Sequence, residues 1–289
     1  MYQFMCLLSG VLLAFVITTN GTLTGYYGAY VGAVIVHIVG TVGSYIYMKA
    51  AKQSWRSAER LPLWMYAGGI IGIATTVFQS MAFLHLGATA VMALSLFGQT
   101  ATSLAVDGFG MFGMKKRPVG KGTLLGVLVS LCGIGYMLMG AGDVQTMSLL
   151  MAIAAGVSAV FSRLTNAQLS VRTSAAGSTF TNHWVGLLGS ILLMFIAEPD
   201  IMGCLQGAAA PLWAFGGGII AVGMITLWNV AGPKVSAFRL TLLSFVGQVF
   251  MGIVIDLLIG NGFSKQIFIG GAFVVVGVLL NMITDKEKA

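Results

Sequence analysis

The chain is 289 residues long, 57% hydrophobic and 8% charged, whereas a soluble globular protein carries about 25% charged residues. A soluble core cannot hide that much apolar surface, which leaves a polytopic membrane protein. The formal net charge of +7 raises nucleic acid as a partner, and the placement of the charges excludes it.

Ten apolar runs are long enough to span the hydrocarbon, near residues 3–19, 28–48, 63–84, 88–111, 121–140, 147–166, 175–197, 211–230, 236–260 and 266–283. The first, Met1 to Thr19, has a signal peptide's length but no basic n-region and no small-x-small cleavage site, so it is expected to be a retained span. Connections are short, and no stretch is expected to fold as a separate soluble domain. The expected fold is all-α, with ten transmembrane helices in two inverted five-helix repeats, 1–143 and 144–289, forming one membrane domain.

With the N-terminus on one side and the spans alternating, one side receives Lys49, Lys52, Arg56 and Arg60 in a single loop. It also receives Lys115, Lys116, Arg117 and Lys121, then Arg163, Arg172, Lys234, Arg239, Lys286 and Lys288. The other side receives only Lys265. This asymmetry places both termini in the cytoplasm. It also explains the basic balance without nucleic acid, and attraction to anionic lipid heads is its natural companion.

The halves repeat. Thr19-Asn20, Leu23, His37, Gly40, Gly43 and Ser44 recur as Thr165-Asn166, Leu169, His183, Gly186, Gly189 and Ser190. Pro62-Leu63-Trp64 and Gly68-Gly69-Ile70-Ile71 recur as Pro211-Leu212-Trp213 and Gly217-Gly218-Ile219-Ile220. Leu94-Ser95-Leu96-Phe97-Gly98-Gln99 recurs as Leu243-Ser244-Phe245-Val246-Gly247-Gln248, and Gly126 and Gly133 recur as Gly270 and Gly277. Each copy holds an odd number of spans, so the copies must be oppositely oriented. The loops agree. The Lys49–Arg60 loop corresponds to one bearing Glu198 and Asp200, and the Lys115-Lys116-Arg117 loop to one bearing only Lys265. Inverted repeats about an axis in the membrane plane are the architecture of many secondary transporters.

Gln99 and Gln248 sit near mid-depth, each after a glycine, and polar residues at that depth tend to face cavities. They are the first candidates for substrate binding, with interhelical hydrogen bonding as the structural alternative. His37 and His183 are also near mid-depth and symmetry-related. They can bind substrate, and imidazoles can couple protons to transport. Trp228 and Asn229, together with Gln79 and Ser80 in the matching part of the third span, could extend the polar lining. Asp107 and Asp256 fall near the ends of their spans, where the helix dipole disfavours an acid. Each therefore needs a specific partner, and both are coupling or gating candidates. Arg163 and Arg239 are expected to snorkel to the cytoplasmic face, leaving a cavity of amides and imidazoles without fixed charge.

Cys6, Cys132 and Cys204 form no disulfide framework and no metal-ligand spacing. No nucleophile–base–acid constellation is present, and neither a cofactor nor a metal is expected. Gly108-x-Gly110-x-x-Gly113 fits a dinucleotide fingerprint literally but follows a membrane span and not a strand, so it is a chance match.

Taken together, Asn20, Gly40-Thr41, the Pro62/Trp64/Gly68/Gly69 set and Gly98-Gln99 followed by Ser103 and Asp107-Gly108-Phe109-Gly110 resemble the drug/metabolite transporter superfamily. Within it, the chain is similar to the YdcZ-like family in a fused, ten-span form. The resemblance covers nearly the whole chain and implies export or exchange of small molecules. The second repeat departs from the pattern, because Ser103 becomes Gly252 and Asp256 is followed by Leu257-Leu258. The mid-span glutamate on which small multidrug exporters of the superfamily depend has no counterpart in the first three spans. The expected function is secondary transport of a small polar metabolite or drug across the cytoplasmic membrane by alternating access. The expected partners are the substrate, membrane lipids and protons, and the protein is expected to be a monomer or homodimer. A lipid-linked-carrier flippase and a non-transporting subunit or sensor are the alternatives that the sequence leaves open.

Overall fold

The structure, a computed structural model, describes residues 1–114, 116, 120–139, 146–207, 209–258 and 265–284, apart from the side chains at 83–84, 87–90, 93, 137–138, 256, 267, 278 and 281–284. Among the described residues there is no strand. The α-helices are α1 (Tyr2–Ala50), α2 (Gly68–Phe109), α3 (Lys121–Leu138), α4 (Thr146–Arg172), α5 (Ala175–Ala197), α6 (Ile201–Gln206), α7 (Gly217–Ala231), α8 (Ala237–Leu258) and α9 (Lys265–Thr284). Short 3-10 turns at Leu63–Tyr66 and Leu212–Gly216 lead into α2 and α7. Backbone polar groups have no water partner in hydrocarbon, so helices that satisfy their own hydrogen bonds are what a chain of this composition can form.

Two predicted spans lie within α1, where Gly28 has φ +77° and ψ 169°. Only a residue without a Cβ takes that conformation readily, and the chain turns there without a loop. The predicted gap at 20–27 is therefore helical. Two further spans lie within α2. Gly68, Thr75 and Ala82 follow α4 from Asn166 through Ser158 to Ala152. Leu94, Gly98 and Val106 return along it from Ala152 through Gly156 to Val160. The two legs of α2 thus run in opposite directions along one neighbour. The ten predicted spans are the two legs of α1, the two of α2, and α3, α4, α5, α7, α8 and α9.

The inversion is visible in reciprocal contacts. A Cβ added to Gly40 would collide with the His183 ring, and one added to Gly186 with the His37 ring. A Cβ on Gly10 would strike the Ser244 carbonyl, and one on Gly156 the Ser95 carbonyl. Gly133 meets the backbone of Gly270, and Gly277 meets that of Gly126. Each contact becomes its partner when the two repeats are exchanged. Where the axis relates the two contacting segments to each other, as at Gly40/His183 and Gly133/Gly270, those segments are antiparallel, as an axis perpendicular to them demands. Glycine is required at these crossings because lipid supplies no hydrophobic drive between helices, and close backbone approach must replace it.

The halves interlock across these contacts. At one end of the bundle, Ser174 Oγ donates to the Ser54 carbonyl at 2.8 Å and the Ala176 amide donates to Gln53 Oε1 at 3.0 Å. Gln168 reaches Met114 at the same end, so the Lys49–Arg60 loop and the segments flanking Gly113 and Arg172 share one face. At the opposite end, Gly28 lies against Glu198 and Cys204. Lys49, Lys52, Arg56, Arg60, Lys116 and Arg172 are thereby gathered on a single side.

Candidate functional site: a polar cavity between the halves

The two legs of α1 and of α2, with α4, α5, α7 and α8, line a partly open cavity with about 980 Å³ of empty space, open solvent included. Its polar lining includes Asn20, His37, Thr75, Thr76, Gln79, Ser95, Gln99, Ser162, Arg163, Asn166, Asn182, His183, Trp228 and Gln248. Leu13, Val16, Ile17, Val36, Met224 and Ile225 supply an apolar portion. Four pairs of pseudo-equivalent helix segments contribute, and the cavity sits where the halves meet.

His37 on α1 and His183 on α5 approach edge to face, with ring centroids 5.7 Å apart. Each is buried, and each ring fills the space opened by the other repeat's glycine. His37 Nδ1 and both nitrogens of His183 have no hydrogen-bond partner in the protein, nor does Asn20 Oδ1. A buried polar atom without a partner is costly. His37, His183 and Asn20 all line the cavity, so unused hydrogen-bonding capacity is concentrated in residues around it.

Gln99 lies on the return leg of α2 and donates from Nε2 to Ser95 Oγ at 3.3 Å. Gln248 occupies the equivalent position on α8 and is buried. The Trp228 indole donates from Nε1 to Ser244 Oγ at 3.4 Å. Gln99, Gln248, His37, His183 and Trp228 are thus brought together, and Gln79 joins them. Ser80 instead accepts from Thr24 Oγ1 at 3.3 Å.

Asn229 is not part of this wall. Its Nδ2 donates to the Ala175 carbonyl at 3.3 Å and to Thr179 Oγ1 at 3.0 Å, in the packing between α5 and α7. Adjacent residues on a helix point about 100° apart, and here Trp228 faces the cavity while Asn229 faces α5. Asp107 is also held elsewhere. Its carboxylate accepts the Ala237 amide at 3.1 Å and the Phe238 amide at 2.9 Å, capping the first turn of α8 from the end of α2. Its partners include the orphan amides of a neighbouring helix, where a negative charge is favoured, and the sequence had offered only nearby lysines and arginines. Asp256 belongs to α8, and its side chain lies outside the described residues.

The sequence reading of Arg163 needs correction. It does not snorkel; it is buried, with 7% of its surface exposed, and it lines the cavity. Its Nη2 donates to Thr241 Oγ1 at 2.9 Å, and its guanidinium lies 5.1 Å from the centre of the Trp228 ring. The cavity therefore holds a fixed positive charge, contrary to expectation. The asparagines were also missed as lining residues. Asn166 donates from Nδ2 to Asn182 Oδ1 at 2.7 Å. The available signal was position, since Arg163 and Asn166 are three apart on one helix and so share a face.

Among solved structures, one crystal structure of a protein superposes with a TM-score of 0.69 and 16% sequence identity, covering 98% of this chain and 95% of its own. At that identity the likeness shows the fold alone. No curated protein sequence matches the chain. A family model described as "Putative inner membrane exporter, YdcZ" matches residues 1–136 and 147–280. With nearly the whole chain matched, an all-helical membrane fold of inverted repeats and a polar cavity at their interface, the chain belongs to this YdcZ family of drug/metabolite transporters.

Proposed function

We propose that the protein is a secondary transporter that exports or exchanges a small polar molecule across the cytoplasmic membrane, binding it in the central cavity. The observation that carries this reading is the cluster of unpartnered polar atoms on His37, His183 and Asn20 within one cavity between inverted halves. A purely structural membrane subunit would have its buried imidazoles bonded helix to helix. Exchange between two pseudo-equivalent arrangements of the halves supplies inward- and outward-facing states.

A proteoliposome uptake screen, run with and without a pH gradient, identifies the substrate. Gln99→Leu and Gln248→Leu are then each expected to cut uptake at least tenfold, the loss of a hydrogen bond in a site built to make it. Normal uptake in both variants would sink the site assignment. The unpartnered imidazole nitrogens, His37 Nδ1 and both of His183, make this pair the proposed point of contact with protons. That part of the reading requires uptake by the wild type to respond to the pH gradient.

We further infer that both termini face the cytoplasm, from the charge asymmetry of the loops. Cys204, partly exposed beside the Gly28 turn, then lies outside and should react with an impermeant maleimide in intact cells. Its own partial burial and the Glu198 and Asp200 carboxylates raise its thiol pKa above the ordinary value. The thiolate is the reactive form, so labelling should accelerate as pH rises through and beyond the usual thiol range. Labelling only in inverted vesicles would reverse the orientation.

A further inference from the structure

Arg163 narrows the chemistry of the cargo. A guanidinium carries five N–H donors and is not deprotonated in proteins. Among the described residues Arg163 uses one donor, on Thr241, and has no carboxylate within ion-pair distance. A charge in the membrane interior is costly and normally paired. The hydroxyl and the Trp228 face orient this charge but do not neutralise it.

The arginine is held for a purpose that packing does not explain. Ser103 Oγ and Thr241 Oγ1 are 2.8 Å apart, so a hydroxyl pair bridging α2 and α8 fixes the guanidinium of α4. Trp228 of α7 supports it from another direction. The equivalent positions in the first repeat are Ile17 for Arg163 and Gln79 for Trp228, and both also line the cavity. The symmetry of the fold is therefore broken at the one place where a fixed charge enters the site. Leu13, Val16, Met224 and Ile225 give the same cavity an apolar wall.

We propose that the cavity binds a small amphipathic carboxylate, with the carboxylate on Arg163 and the apolar body against the wall formed by Leu13, Val16, Met224 and Ile225. A planar guanidinium matches a carboxylate in two parallel hydrogen bonds. A neutral substrate would leave the charge unpaired, and a cation would be repelled by it. This inference depends on the transport reading only for what happens after binding.

The test uses the full chain in lipid nanodiscs and isothermal titration with three acids, phenylacetate, 3-phenylpropanoate and hexanoate, each beside its neutral amide. At least one acid is expected to bind tenfold or more tightly than its amide. Arg163→Gln is expected to abolish that preference and Arg163→Lys to retain part of it. Should Arg163→Gln not fold, the wild-type comparison of acid with amide and the Arg163→Lys variant decide the matter. Equal binding of acids and amides, binding of none of the acids, or a preference that survives Arg163→Gln would each overturn the proposal. If the acid preference and its loss are found while no flux of any acid occurs in proteoliposomes, the binding chemistry stands and the transport reading falls. Flux of neutral molecules alone gives the converse.

Discussion

At the scale of single residues, the buried polar groups divide by what they are bonded to. Asp107 is bonded to backbone: its two oxygens accept the amides of Ala237 and Phe238. Charge-assisted capping of this kind is worth about 1–3 kcal/mol. Asp107→Ala should accordingly lower the thermal unfolding temperature in detergent, and Asp107→Asn should lower it less, since the amide oxygen still accepts one bond. Equal stability of all three proteins would show that the cap contributes nothing. His37, His183 and Arg163 differ because their hydrogen-bonding capacity is incompletely used within the protein.

At the scale of elements, the reciprocal glycine contacts explain why the inverted copies fit so closely. Gly40 makes room for the His183 ring and Gly186 for the His37 ring. Adding a methyl group there forces rings or helices apart, at a cost of about 1–3 kcal/mol. Gly40→Ala and Gly186→Ala should destabilise the protein by similar amounts in a denaturation series, because the contacts are pseudo-equivalent. Gly25→Ala, where a Cβ would meet nothing within 4 Å, is the control and should be nearly neutral. If all three behave alike, the crossing is not as tight as described.

The elements also explain what could be read from sequence. The spans were legible because ten apolar runs are separated by turns and charges, and the inversion because loop charges and glycine pairs recur with opposite bias. Gln99, Gln248, His37, His183 and Trp228 were legible as polar or amphipathic residues at matching depth. Arg163 was not, because an arginine near the end of an apolar run has the signature of a snorkelling residue. Its true depth depends on α4 continuing to Arg172, past the predicted end at 166. At about 1.5 Å per residue, that leaves Arg163 about 13 Å inside the helix end. Asn229 misled for another reason, since its side chain turns to Ala175 and Thr179 of α5, a long-range pairing that its place beside Trp228 does not reveal. The Asp107 cap joins residues 130 apart, a pairing that no local pattern encodes.

At the scale of the whole molecule, two interlocked inverted halves surround one cavity whose lining is only partly symmetric. The pseudo-symmetry supplies two related arrangements of the same helices, which is the physical basis for opening the cavity to either side. The asymmetry, Arg163 against Ile17 and Trp228 against Gln79, means that a bound molecule meets the same charged wall in both arrangements. The most direct measurement of alternating access needs no knowledge of the substrate. A cysteine is placed in the cavity by Thr76→Cys in a Cys204→Ser background and exposed to an impermeant maleimide in intact cells and, separately, in inverted vesicles. Cys6 is buried, and Cys132 lies on α3 within an expected membrane span, so both should stay silent. The account predicts labelling of position 76 from each side, above the Cys204→Ser background. Labelling from one side only, or from neither, under every condition tried would contradict it.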